Sequence, residues 1–247
     1  LDIHMQKDEL IKRYYSQILL DELSIEKQEL LSKKSITVIG CGGLGSPLAA
    51  YLAGAGVGKI KLVDDDTVEL RNLHRQVFFS EDDIGIKKVK ALSNYLKNLN
   101  SNTTIEIHDK KSWELSYDNI KSDLLIDCAD NLRTSYDLNR VCSKERVAFL
   151  TASIAAHVGQ ILLFSNDSQH CCLECVFPSE GELDANDCAD VGVLGPSVAL
   201  VSSLQSLIAL DFLLEQKSHS NHIYRINTKE FLINKNKVLS DSSCKIK

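Results

Sequence analysis

Four glycines crowd the six residues Gly40-Cys41-Gly42-Gly43-Leu44-Gly45. Glycines at 40, 42 and 45, between a β-rich apolar run and a helical pattern, let backbone N–H groups approach a phosphate at a helix N-terminus. Asp64 stands nineteen residues past Gly45, the spacing at which a carboxylate meets ribose hydroxyls. Alone, these residues suit a nicotinamide dinucleotide as well as ATP, and a tight turn without ligand is the bland alternative. The residues that follow break the tie. Asn72, Arg75 and Gln76 are packed into one short segment, Lys88 follows the turn 83–87, and Asp130 closes a later strand. A pyrophosphate held by glycines calls for no further cations. A triphosphate attacked at its α-phosphorus does, because charge develops on the phosphoryl oxygens and on the departing pyrophosphate. Asp130 is placed to hold Mg²⁺. A lone Arg or Lys would read as a surface charge; five polar groups at consecutive strand ends do not.

A second reactive set is made of thiols. Of eight cysteines, Cys41, Cys128 and Cys142 fall in strand, loop or helix patterns and read as packing residues. Cys171, Cys172, Cys175, Cys188 and Cys244 all lie in the C-terminal third. In a chain expected to be cytoplasmic they point to thiol chemistry or metal rather than disulfides. That expectation rests on the charged N-terminus, Gln-Lys-Asp-Glu-Leu-Ile-Lys-Arg, which does not suit a signal peptide. Residues 1–4, ahead of the single methionine Met5, read as an expression scar.

These groups need elements to carry them. A helical segment over about 7–32 precedes a first strand at 36–39, and a second strand ends at Asp64. A helix covers about 87–99, strands fit 104–108 and 124–127, a helix runs over about 132–144, and Val147–Ser153 reads as a fifth strand. Strands alternating with helices predict an α/β chain with a Rossmann-like, doubly wound, mostly parallel sheet and ligands at the strands' carboxyl ends. Beyond Ser153 the alternation weakens. A strand at 159–164, a long crossover loop over 166–195, a helix over 196–216 and two additional strands at 222–227 and 230–234 follow. A loop of that length inside a compact domain is usually functional. The run 191–214 is long enough for a membrane span. Ser202, Ser203, Gln205, Ser206 and Asp211 interrupt it, so a buried or dimer-facing helix is the expectation, and no membrane partner. A net charge of −6 argues against a nucleic-acid surface.

Together, "RYYSQILL", "GCGGLGSPLAAYLAGAGVGKIKLVDDDTVELRNLHRQ", "LLIDCADN", "LTASIAAHVGQILLF" and "CADVGVLGP" resemble the ThiF/MoeB/HesA family of ubiquitin-activating-type adenylyltransferases, from about Arg13 to the C-terminus. The resemblance implies one adenylyltransferase domain over 5–247: helices over 7–34, a nucleotide-binding core over 35–153 and a carrier-binding, cysteine-containing part over 154–247. It implies a homodimer that uses MgATP to adenylate the C-terminal glycine of a small ubiquitin-like sulfur-carrier protein ending in Gly-Gly, with a sulfur-donor protein as a further partner. "VDDDTVEL", "LTAS" and "VLGP" resemble ThiF, the thiamine-pathway member acting on a ThiS-like carrier, more than the molybdopterin-pathway MoeB. The alternatives are a relative acting on another carrier or peptide, and a catalytically degenerate dimer that binds nucleotide or carrier. Residue by residue, Gly43 matches the glycine against the nucleotide and Asp64 the ribose ligand. Asn72, Arg75 and Lys88 match phosphate-contacting positions, Asp130 the magnesium aspartate, and Gln76 and Asn131 complete the nucleotide set. Cys188 matches the cysteine that attacks the acyl adenylate or accepts the thiocarboxylate; a bystander thiol is the other reading.

Two positions depart from the family pattern. Ser16 stands where the family has an arginine that reaches across the dimer to the ATP phosphates, and Arg71 is placed to compensate or simply to be solvated. The family's zinc site uses two Cys-x-x-Cys pairs. Cys172 and Cys175 form the first and Cys244 opens the second, but Lys247 stands at the fourth ligand position. Structural zinc normally takes four ligands, so the set reads either as a zinc site or as leftover thiols.

Overall fold

The computed structural model describes residues 2–165, 171–179, 192–216, 218–244 and 246, with side chains from residue 9 onward. In chain order the elements are α1 (Asp2–Ile18), α2 (Ile25–Leu31), β1 (Ser35–Ile39), α3 (Gly45–Ala55), β2 (Lys59–Val63), α4 (Lys88–Leu99), β3 (Thr104–His108) and α5 (Tyr117–Ile120). Then come β4 (Leu124–Asp127), α6 (Leu132–Glu145), β5 (Ala148–Ala155), β6 (Val158–Phe164), α7 (Leu173–Val176), α8 (Gly195–Leu213), β7 (His222–Asn227) and β8 (Leu232–Lys237).

The strands form one sheet in the order β3-β2-β1-β4-β5-β6-β7-β8. The first five are parallel, and β6, β7 and β8 continue antiparallel. The mostly parallel, doubly wound sheet expected from the alternation is what forms. From β1 the chain goes outward to β2 and β3, then returns to place β4 on β1's other side. The loops after β1 and β4 therefore part in opposite directions and leave a crevice at the carboxyl edge, where ligands bind in such sheets.

Central strands covered on both faces must be apolar on both. In β4, Leu124 and Ile126 join the core under α3, α4 and α8, while Leu125 joins the second core with Tyr136, Cys142 and Phe149. α3 is built of small and aliphatic residues, buried along nearly its whole length, which lets it pack closely beside α8 over the sheet. It stops at Gly56, whose φ of 96° ends the helix in a left-handed cap.

Some boundaries differ from expectation. The N-terminal helical segment is two helices, because Ser24 caps a new start by accepting from Lys27 N. The stretch expected as loop over 166–195 contains α7. β8 begins two residues later than expected and runs on to Lys237, through an exposed Asn-Lys-Asn-Lys sequence with no apolar alternation to betray it. α8 starts at Gly195 with Pro196 in its first turn. By length and composition it could cross a membrane, yet half of its apolar window is buried within this fold, against α3, β5 and β6.

Candidate nucleotide site

The glycine loop closes the end of β1 against the end of β4. Gly40 has φ of 90°, and a β-carbon there would sit 2.7 Å from the Cys128 carbonyl oxygen. At Gly45 a β-carbon would come within 1.9 Å of the Gly40 carbonyl oxygen, so no side chain fits. The fold needs these two glycines whatever the ligand. Gly43 faces Val198 of α8 and the Arg75 carbonyl, at 3.0 and 3.3 Å from an added β-carbon, and Gly42 faces the Gln76 amide at 3.4 Å. The 72–76 segment thus lies directly against the loop.

Asp64, just past β2, accepts from Cys41 N at 2.6 Å and from Asp66 N at 2.8 Å. One carboxylate therefore ties the glycine loop to the β2 end. Burial raises its pKa, opposed chiefly by the Lys88 ammonium. Lys88 opens α4 with its side chain 6% exposed and its Nζ 2.8 Å from Asp66 Oδ2. Burial pulls the Lys88 pKa down, but Asp64 and the Asp66 hydrogen bond outweigh it and the net direction is upward. The ammonium therefore stays charged, at low solvent exposure.

Arg75 is the second cation. Its Nη2 donates to Asn72 Oδ1 at 3.0 Å and its Nη1 meets His74 Nε2 at 2.9 Å. Asn72 thereby orients the guanidinium, and its carbonyl also accepts from Gln76 N at 3.0 Å. Gln76 is 3% exposed, and its Oε1 is buried with no hydrogen-bond partner among the described residues. A buried orphan acceptor beside a glycine loop is what a ligand donor or water would satisfy. Arg71 is engaged by Glu69 and exposed, so within the single chain it does not stand in for an arginine at position 16. Ser16 itself is exposed.

At the end of β4 the residue that composition did not single out is Asp127. It is 1% exposed, accepts from Ala129 N at 3.0 Å and from the Thr151 hydroxyl at 2.9 Å. Burial pushes its pKa up to about 6 against the hydrogen bonds of Ser135, Ala129 and Thr151. It braces the turn that presents Asp130, which is exposed and suits a hydrated cation. Asn131 caps α6 by accepting from Thr134 N at 2.9 Å.

The thiols gather elsewhere. Cys172 Sγ lies 3.9 Å from Cys175 Sγ and 3.6 Å from Cys244 Sγ, and all three sulfurs fall within 4.8 Å of one another. Zn–S bonds of about 2.3 Å in a tetrahedron put sulfurs roughly 3.8 Å apart, so the three occupy spacings that fit three corners of a zinc site. Cys171 lies outside that group; its thiol donates to Leu239 O at 3.7 Å, and burial pushes its pKa up to about 12. In Cys175 burial is outweighed by hydrogen bonds from the Asp241 and Cys172 backbones and the neighbouring thiols, which lower its pKa.

Residues 14–246 match the ThiF family. The chain belongs to that family. It is 36% identical over 203 residues to the sulfur carrier protein ThiS adenylyltransferase of Escherichia coli K12, covering 81% of this chain and 80% of that one. Against the adenylyltransferase and sulfurtransferase MOCS3 of Anopheles gambiae it is 37% identical over 213 residues, 84% of this chain but 47% of the relative. A similar match to the Xenopus laevis MOCS3, at 38% identity, covers 45% of it. The chain thus spans about half the length of the MOCS3 relatives. Among solved structures, E. coli MccB with MccA-N7isoASN superposes with a TM-score of 0.83 at 22% identity, over 95% of this chain and 74% of that one. PaaA superposes at 0.79 with 19% identity, over 94% and 84%. These two likenesses are of fold.

In this ThiF-family chain Gly40, Gly42, Gly43, Gly45, Asp64, Asn72, Arg75, Gln76 and Lys88 share the crevice edge, with Asp130 and Asn131 on the loop after β4. Cys172, Cys175 and Cys244 form the separate thiol group. Cys188 and Lys247 lie outside the described residues. His74, given no role from sequence, touches the Arg75 guanidinium.

Proposed function

We propose that this chain uses ATP to adenylate the C-terminal glycine of a small ubiquitin-like sulfur-carrier protein of the ThiS type, in thiazole formation for thiamine. The observation that carries the proposal is the set of two fixed cations, Lys88 and Arg75, held with Asp64 around the glycine loop. Membership of the ThiF family and the name of the E. coli relative, most of whose length the chain covers, support the carrier as the second substrate. The similar identity of the MOCS3 relatives, 37% and 38% against 36%, favours, as a second reading, a MoeB-like enzyme acting on another carrier.

The carrier's terminal carboxylate, ionised at neutral pH, attacks the α-phosphorus; a new P–O bond forms as the bond to pyrophosphate breaks. No general base is needed, so the chain's work is positioning and charge neutralisation. Loop N–H groups and the Arg75 and Lys88 cations face the phosphates, and Asp64 holds the ribose edge. Asp130 would hold Mg²⁺, which when bound neutralises charge on the phosphates. Cys172, Cys175 and Cys244 would hold zinc, which would tie α7 to the C-terminal segment. Cys188 acts after adenylation, its thiol taking the acyl group and releasing AMP. A homodimer with Ser16 near the partner's site completes the proposal.

The test is ATP–pyrophosphate exchange with thiamine-type and molybdopterin-type carriers ending in Gly-Gly, and with each carrier lacking its last glycine. Exchange that needs the intact terminus of the thiamine-type carrier supports the proposal. Exchange with the other carrier alone selects the MoeB-like reading. MgATP binding without any exchange would leave a nucleotide-binding dimer, and stabilisation by NAD instead of ATP would overturn the nucleotide assignment.

A further inference from the structure

α8 is an apolar helix, and two of its buried polar residues have partners in loops of the nucleotide site. Ser202 and Gln205 are fully buried. The Ser202 hydroxyl donates to the Leu44 carbonyl in the glycine loop at 2.7 Å. Gln205 Nε2 donates to the Asp127 carbonyl at 3.3 Å, and its Oε1 accepts from the Cys128 thiol at 3.6 Å. A buried amide is costly unless both ends are bonded, and here both ends are bonded to the last two residues before Ala129 and Asp130. Those residues are also the seam with the other loop. Cys128 N donates to Ile39 O at 2.8 Å, and the Cys128 carbonyl is the group that leaves room only for glycine at position 40. Nearer its start, α8 also sets Val198 against Gly43 and Gly195 against the His74 carbonyl. One helix thus braces the glycine loop, the 72–76 segment and the β4 end.

We propose that Gln205 is a positioning residue for the nucleotide site, holding the Asp127–Cys128 turn so that the loop bearing Asp130 keeps its place opposite the glycine loop. This rests on the adenylation reading for its role in turnover, but it is also readable in nucleotide binding alone. Gln205→Met keeps the length and approximate volume while removing both amide groups. Losing two hydrogen bonds that hold the loop raises the half-saturating MgATP in pyrophosphate exchange by about tenfold and leaves that of the carrier unchanged. Val201→Ala is the matched structural control. Val201 is buried in the same helix and packs against Gly159 of β6; its melting midpoint falls while MgATP half-saturation stays put. If Gln205→Met loses stability but leaves MgATP half-saturation unchanged, as the control does, Gln205 is only a packing residue and the proposal is overturned. If Gln205→Met is not recovered folded, Cys128→Ala decides. It removes one of the two bonds at little cost in volume; a rise of about threefold supports the proposal and no rise overturns it. Should wild type show no exchange with any carrier, the adenylation reading fails by itself. Calorimetric titration of MgATP into the same variants then tests Gln205 on its own: weaker binding in Gln205→Met than in Val201→Ala supports the proposal, and equal binding overturns it.

Discussion

Lys88→Met separates the catalytic from the structural worth of a buried cation. The substitution keeps the aliphatic stem and deletes the charge. Two effects compete. Breaking an ion pair is severe, at roughly 3–5 kcal/mol, when it strands a buried charge. Here the bonded partner is Asp66, whose side chain is 67% exposed, so it re-enters water and the pair is worth about 1 kcal/mol at most. Asp64 loses the main charge that opposes its desolvation and relieves the strain by binding a proton more readily. The fold should survive with a small fall in melting midpoint. Turnover should not. A cation aimed at developing phosphate charge resembles an oxyanion-hole donor, whose removal costs about 2.7–4 kcal/mol, on the order of 10²–10³ in rate. The assay is pyrophosphate exchange at saturating MgATP and carrier, with thermal unfolding of the same sample. Lys88→Arg, which restores charge with a different reach, should recover part of the rate. A folded Lys88→Met protein that retains more than a tenth of wild-type exchange would refute the placement of Lys88 against the triphosphate.

Asp127 gives a pH dependence of opposite sense to that of an ordinary salt-bridged carboxylate. Its folded pKa of about 6 lies above the unfolded value of about 3.9, so its stabilising contribution is complete below about pH 4 and disappears as pH rises through 6. A difference of roughly two pH units corresponds to about 3 kcal/mol. Urea unfolding between about pH 4.5 and 7.5 should show about two-thirds of that loss in wild type and a flatter profile in Asp127→Asn; an unchanged slope would locate the dependence elsewhere. For the thiol group, elemental analysis should find about one zinc per chain, chelation should lower the melting midpoint, and Cys175→Ser should abolish both effects. Metal-free protein whose stability ignores chelators would mean that the three sulfurs are only neighbours.

The crevice was legible because its residues obey local rules. Glycine spacing, strand-end acids and the 72–76 segment each name a position relative to one element, and the parallel topology brings the elements together. Asp127 and Gln205 were not legible in the same way. Asp127 looks like any acid at a strand end until burial and Thr151, on a different strand, give it a task. Gln205 reads as a polar interruption of an apolar helix, and its partners are about 78 positions away along the chain. The thiol group lies between these cases. The pair 172/175 is a local spacing, whereas Cys244 meets it only because the chain returns past β8. Helix breaks and strand ends were missed where side chains carry no periodic signal, as at Ser24 and in the polar tail of β8.

The placement of β4 against β1 also bears on how fast the molecule can assemble. β1, α3 and β2 are consecutive and can find one another early, at small loop-closure cost. β1 and β4 close a much longer loop. Ser35 donates to the Asp123 carboxylate across 88 positions of chain, with α3, β2, α4 and β3 between the two strands along the sequence. Contacts of such long range slow the search, and this seam is the one that carries the crevice. Nucleotide affinity should therefore be among the last properties acquired during refolding, appearing after most helical signal has returned. ATP would then shift the final equilibrium by mass action without hastening the early steps.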